Sequence, residues 1–332
     1  YRPCARILGR ASHQPHEETR RMGITFGIHI GPQNISIDDL RRLWTYADTH
    51  GYQWISVWDH FYEAPPVDSA APHFEALTLM SAIACETRNV RIGCLVFGMA
   101  YRNPAVLTKS LVCIDHLSGG RLEIGLGAGW HVPEHQAYGI PFLPPRQRLD
   151  MLEEGTIAIK SLLANEVTDH HGEYFNFTNA RMNPKPLQAH VPIWIGGQGE
   201  KRTLRIAARH ADGWNVPYIG PDVFKHKSEV LDAWCEKEGR DPATIERSLN
   251  LSFNMVARDA DADAAQCRLR EMWGEQAAAR LGGMLAGGPS AVMEQVGAFR
   301  DVGVTRLNIA FRPPVDWDAF AAFTTEVMPQ FQ

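Results

Sequence analysis

A histidine beside a carboxylate, Asp59-His60, and two glycine-rich turns, Gly127-Ala128-Gly129 and Gly196-Gly197-Gln198-Gly199, are the groupings in this chain best suited to chemistry. An imidazole titrates near neutral pH, so His60 is the natural group to move a proton. The second turn runs directly into the helical pattern EKRTLRIAARHA, with Lys201 and Arg202 at its start. A helix N-terminus offers free N–H groups and the positive end of a dipole, which suits an anion such as a phosphate. One titratable group and one phosphate cradle together are what a phosphorylated redox cofactor requires. Each feature also has a plainer reading. GGQG suits a simple tight turn, and Asp59 suits a helix cap. Cys94 suits a small apolar filler rather than a nucleophile.

These groups need elements that bring them to one place. From Ile24 onward short β-rich runs alternate with amphipathic helical runs, with strands expected at 24–30, 54–58, 90–96, 121–127, 192–197, 212–216, 249–257 and 305–310. Several helical runs stop at a glycine (Gly51, Gly119, Gly239, Gly303), the usual left-handed stop. Eight β–α units in one chain of this length predict an α/β fold, a (β/α)8 TIM barrel. A doubly wound sheet is disfavoured, because no GxGxxG opens a helix. Two long segments are expected as insertions, Ala128–Pro145 after strand 4 and Asn165–Val191 before strand 5. Long loops in a compact domain are usually functional or cover a site. In a barrel the strand C-termini form the site. Read in order, those ends give His29 and Gln33, then Asp59-His60-Phe61, Cys94-Leu95-Val96, Gly127 to His131, Gly196 to Gly199, and Asn215.

Composition narrows the function classes. The 332 residues carry 33 basic and 38 acidic side chains, a formal charge of −5, which gives no footprint for a nucleic-acid binder. No apolar stretch reaches the ~18 residues of a membrane span. Six cysteines are scattered without CxxC spacing, so neither a zinc finger nor a small disulfide framework is indicated, and a reducing cytosol is the simplest setting. His131 and His135 stand four apart, but Pro133 lies between them and no HExxH forms, so no metal pair is expected. Residues 1–22 are arginine-rich and lack a helical period. They read as a poorly ordered extension upstream of a start at Met22, in preference to a transit peptide, leaving 23–332 as one barrel domain.

The segments SVWDHF (56–61), VRIGCLVFGMAYRNPAVLTKSLVCIDHLSGGRLEIGLGAGWHVPEHQAYGI (90–140) and IWIGGQGEKRTLRIAARHADGWN (193–215) resemble the luciferase-like superfamily of flavin- and deazaflavin-dependent oxidoreductases. Within it the likeness is to the subgroup that uses coenzyme F420. AYRNP, DHLSGGR and GLGAGW in series carry the specificity. The resemblance implies a barrel with insertion segments and a homodimer. It implies that Asp59 touches the deazaflavin ring system and that His60 is the acid/base beside substrate. It implies a non-prolyl cis peptide at Cys94-Leu95, with the bulge that includes Val96 bracing the cofactor's rear face. Gly127, Ala128 and Gly129 would approach the cofactor by backbone, and Gly196 to Gly199 would hold its phosphate. His29, Trp130 and His131 are left to line the substrate pocket. The chain departs from the family's sugar-phosphate dehydrogenases, which carry an acidic residue where this sequence has Trp130 and a tryptophan where it has Ala64.

The leading expectation is therefore hydride transfer between coenzyme F420 and a small organic substrate. One rival keeps the fold and uses FMN to activate oxygen as a monooxygenase. A second is a metal-dependent barrel hydrolase, with ligands drawn from His29, Asp59, His60 and His131. Against it, the fifth strand ends in glycines where such an enzyme needs a ligand.

Overall fold

Strands buried on both faces read as near-continuous apolar runs, and that pattern is what the barrel is built from. The computed structural model describes residues 23–63 and 71–332. The 1–22 extension and Ala64 lie outside the described residues. In chain order the elements begin β1 (Thr25–Ile30), α1 (Ile37–Thr49), β2 (Trp54–Val57), α2 (Ala76–Glu86), β3 (Arg91–Cys94), β4 (Phe97–Gly98) and α3 (Pro104–Ser118). They continue through β5 (Leu122–Gly127), α4 (Val132–Ala137), α5 (Pro145–Ala164), β6 (Thr168–His171), β7 (Asn176–Ala180), β8 (Ile193–Gly196) and α6 (Thr203–His210). The last part holds β9 (Gly213–Pro217), α7 (Pro221–Lys237), β10 (Glu246–Met255), α8 (Ala262–Trp273), α9 (Ala277–Arg280), β11 (Met284–Gly287), α10 (Pro289–Asp301), β12 (Arg306–Phe311) and α11 (Trp317–Ala322).

The ring runs β1-β2-β3-β5-β8-β9-β10-β12, all parallel. It closes where β12 pairs with both β1 (Thr25↔Arg306) and β10 (Ser248↔Arg306). The expected (β/α)8 barrel is the observed fold. β5 and β12 are buried along their whole length. Helix signals act locally. Asn103 caps α3 by accepting from Ala105 N at 2.9 Å, and Gly119 ends that helix at φ +68°.

Two elements escaped the sequence reading. β11 pairs the outer end of β10 (Ser252↔Met284) beyond the ring. The segment expected as a second site-covering loop folds as the antiparallel hairpin β6–β7. Glu154 of α5 holds its turn, accepting from the N–H groups of Glu173, Tyr174 and Phe175 at 3.0, 3.1 and 2.7 Å. The residues after it pack at the strand N-termini: Gln188 donates to Leu122 O at the start of β5 (2.9 Å) and to Asp115 Oδ1 (2.7 Å). This insertion therefore lies at the end of the barrel away from the strand C-termini.

Below the site the barrel is plugged. Trp54 and Trp194 stack on each other, 5.2 Å between centroids, and the Arg306 guanidinium lies against both, 4.4 and 4.6 Å from their centroids. It donates to Glu123 (2.8 Å) and Glu246 (2.9 Å), and Trp194 Nε1 also donates to Glu123 (2.7 Å). Each of these residues is the first or second of its strand. The plug closes the N-terminal end, and a cavity opens at the other.

Candidate active site

A cavity of about 650 Å³ occupies the C-terminal mouth. Leu95, Val96, Gly127, Ala128, Gly129, Gly196 and Gly197 form one wall, with Asp59 and His60 at its side. Asn250 and Ser252 of β10, Tyr218 after β9 and Arg312 after β12 form the far side. His29 and Trp130 also line it. Of the residues expected to meet cofactor or substrate, four do not. Cys94 is fully buried, and burial pushes its thiol well above the usual range. His131 is buried behind His60. Gln198 and Gly199 are exposed and do not line the cavity, whereas Thr203, the first residue of α6, does. Of the two cations at that helix start, Arg202 is engaged by Asp150 at 2.6 Å.

The glycine wall has a steric reason. A Cβ on Gly127 would lie 2.3 Å from a methyl of Val96, and one on Gly196 would lie 2.6 Å from the other methyl. Val96 thus fits against two bare backbones, which leaves a smooth apolar floor. The non-prolyl cis peptide is Leu95-Val96, one residue beyond the expected Cys94-Leu95. β3 ends at Cys94, and the chain re-enters the sheet as β4 beside β5 (Phe97↔Leu126).

Asp59 is not a helix cap. That position before α2 belongs to Glu75, which accepts from Thr78 N at 2.8 Å. Instead Asp59 Oδ2 accepts from Gly98 N (3.1 Å) and Arg102 (2.6 Å), and Arg102 also reaches Glu75 (2.6 Å). Asp59 Oδ1 is buried with no hydrogen-bond partner in the described structure. Burial pushes the carboxyl above its usual range, with Arg102 pulling the other way.

His60 Nδ1 hydrogen-bonds Glu134 Oε1, and His131 Nδ1 meets the same oxygen. Glu134 Oε2 accepts from Phe61 N (2.8 Å) and the Tyr101 hydroxyl (3.3 Å). Burial alone would raise the Glu134 carboxyl, but the bonds from His60, His131 and Phe61 N hold it below the usual range. His29 Nδ1 lies 2.9 Å from Ser56 Oγ; burial, with His60 and Arg312 nearby, lowers its pKa to about 3. Trp130 stands half-exposed with its ring edge-on to His60, 5.4 Å between centroids.

The sequence reading missed Glu134, Tyr101, Arg102 and Thr203. Glu134 sits three residues after His131 on the short α4, a spacing that puts both on one side of a turn. Only the fold shows that His60, 74 positions earlier, meets them. The four ligands a metal hydrolase would need do not converge on an open point. Asp59 is paired with a cation, His29 with Ser56, and His131 with Glu134. His60, His131 and Glu134 do place donor atoms within 4.8 Å of one another, as a hydrogen-bonded trio.

The family model for luciferase-like monooxygenases matches residues 21–286. The chain belongs to that family. Among sequence relatives, an F420-dependent glucose-6-phosphate dehydrogenase of Kineococcus radiotolerans is 28% identical over 253 residues, covering 75% of this chain and 72% of the relative. An FMNH2-dependent dimethylsulfone monooxygenase of Pseudomonas putida is 26% identical over 229 residues, covering 69% and 60%. Among solved structures, an F420-dependent secondary alcohol dehydrogenase with an F420–acetone adduct superposes with a TM-score of 0.83 at 18% identity, covering 94% of this chain and all of that one. This last likeness concerns the fold. The family thus includes both deazaflavin and flavin users.

Proposed function

We propose that the protein is an oxidoreductase that binds coenzyme F420 in this cavity and exchanges a hydride with a small organic substrate. The observation that carries the reading is the cavity itself: a floor of glycines and Val96 with the His60 imidazole beside it. The residues present fit the cofactor. The bare backbones of Gly127 and Gly196 suit close contact with a flat ring. The partnerless Asp59 Oδ1 at the cavity wall is a buried acceptor awaiting a donor, which a polar edge of such a ring supplies. Gly197 and Thr203, at the start of α6, suit a phosphate.

A deazaflavin exchanges hydride at carbon and reacts poorly with oxygen, and that is the chemistry the group brings. The chain's own contribution is position and one proton. Leu95 and Val96 support the floor. Arg102 fixes Asp59, and His60, whose Nε2 has no protein partner among the described residues, holds or accepts the proton of the reacting substrate. Trp130 restricts the space over His60 where the sugar-phosphate dehydrogenases carry an acid, so the substrate is a different small molecule.

Titrating the purified protein with F420 and with FMN, and following tryptophan fluorescence, tests the reading. Trp58 and Trp130 both line the cavity and report its occupation. Tight F420 binding with weak FMN binding is the expected result. Tight FMN and no F420 binding would assign the protein to the monooxygenase branch instead.

A further inference from the structure

Glu134 does not line the cavity, yet it is fully buried and touches four donors. A carboxylate accepts and never donates while ionised. Both imidazoles that face it do so through Nδ1, and each meets the same oxygen, Oε1. In a neutral histidine only one ring nitrogen carries hydrogen. Facing a carboxylate, that nitrogen must be Nδ1, so Nε2 is left with its lone pair. Rotation of the His60 ring is hindered by Trp58, Trp130 and His131, all edge-on at 6.1, 5.4 and 5.4 Å between centroids. The carboxylate is itself fixed independently of His60, because Phe61 N–H and the Tyr101 hydroxyl hold Oε2 and His131 holds Oε1.

We infer that Glu134 is a positioning residue that locks His60 as its Nδ1–H tautomer and so presents a bare Nε2, a proton acceptor, to the cavity. The inference rests on the reading of His60 as the proton-handling group. It adds a second member to that machinery, reached from α4 rather than from a strand end. His131 is part of the clamp: buried and tied by Nδ1, it steadies the carboxylate rather than touching substrate.

The test is the long-range ¹⁵N–¹H correlation spectrum of the imidazoles in the full chain without ligand at pH 8, assigned by comparison with His60→Gln. Wild type is expected to show His60 Nε2 in the bare-nitrogen region and Nδ1 in the N–H region. In Glu134→Gln the side-chain amide can donate to Nδ1, so the bare Nε2 signal should be lost or reduced severalfold. A melting curve shows whether this variant is folded. If it is not, the wild-type spectrum decides alone, since a protonated Nε2 there overturns the inference. A Glu134→Gln protein that folds and keeps the wild-type tautomer overturns it as well. So does a stoichiometric divalent metal released by chelator with a change in the His60 signals, because Nδ1 would then be a ligand and not a donor. Failure of F420 to bind, with a bare Nε2 in wild type, would remove the cofactor assignment and leave the positioning role standing.

Discussion

Replacing Arg102 by Met separates the electrostatic role of the site from its packing. Arg102 reaches Asp59 and Glu75 at 2.6 Å each, and its guanidinium lies 5.7 and 5.8 Å from the ring centroids of Phe61 and Phe97, contacts a Met side chain largely preserves. The Asp59 side chain is 0% exposed, and without Arg102 its remaining donor among the described residues is Gly98 N. Removing one partner of a buried pair costs ~3–5 kcal/mol, because the other charge is left uncompensated. With Arg102 itself partly open to solvent, the lower end, ~3 kcal/mol at pH 8, is the expected loss. The pH dependence gives the discriminating sign. Asp59 has a folded pKa above its unfolded one, so its contribution is full at low pH and is lost as pH rises through the folded value. Without Arg102 that value rises further and the loss deepens. The Glu75 carboxyl is shifted the other way: burial opposes, but hydrogen bonds from Thr78 and the charge of Arg102 lower it, so losing Arg102 also removes stability above the carboxylate range. Both effects widen the gap between wild type and variant as pH rises. Urea unfolding at about pH 4.5, 6 and 8 reads it directly. A gap of the same size at all three would show that Arg102 acts by packing alone and that Asp59 is not held as a charge.

His60→Ala should leave cofactor affinity within a few-fold and lower turnover by about 10²–10⁴, measured by cofactor titration and steady-state rates; unchanged turnover removes His60 from the mechanism. Gly196→Ala places a methyl 2.6 Å from Val96 and should weaken F420 binding at least ~10-fold while costing ~1–3 kcal/mol of stability, and unaltered affinity would mean the floor is not the ring site. His29 stays neutral in the folded protein down to about pH 3 but gains a proton near 6.5 when unfolded, so it withdraws stability as pH falls between those values. His29→Gln should flatten the acid-side decline by about one proton in the slope of unfolding free energy against pH; an unchanged slope would show that His29 is protonated when folded. Dialysis against a chelator should not alter cofactor binding, and its loss would revive the metal-dependent rival.

The ring order and the position of the site were legible because barrel strands carry their own signature. Runs such as VRIGC and LEIGLG are mostly apolar and buried, and several of the strands are followed at the same end by polar or glycine residues, as at Asp59-His60, Gly127 and Gly196. Asp59, His60, the GAG turn and Gly196-Gly197 were singled out this way, and all of them line the cavity. The misses share one cause. β6–β7 has a single buried face, with Thr168 and Phe177 inward among exposed polar neighbours, so it imitates a loop when read locally. Glu134 carries no local sign of its importance either. A glutamate on a short polar helix is ordinarily solvated, and here it becomes buried only because β2 delivers the Phe61 N–H and the His60 ring, while the turn before α3 delivers Tyr101. Periodicity reports what a residue's own element buries. The partners that make a buried carboxylate tolerable come from three separate segments, and their meeting is a property of barrel closure. His60, the proposed proton-handling imidazole, could therefore be picked from its strand end, while Glu134, the carboxylate that meets it, could be seen only after the fold had brought α4 against that end.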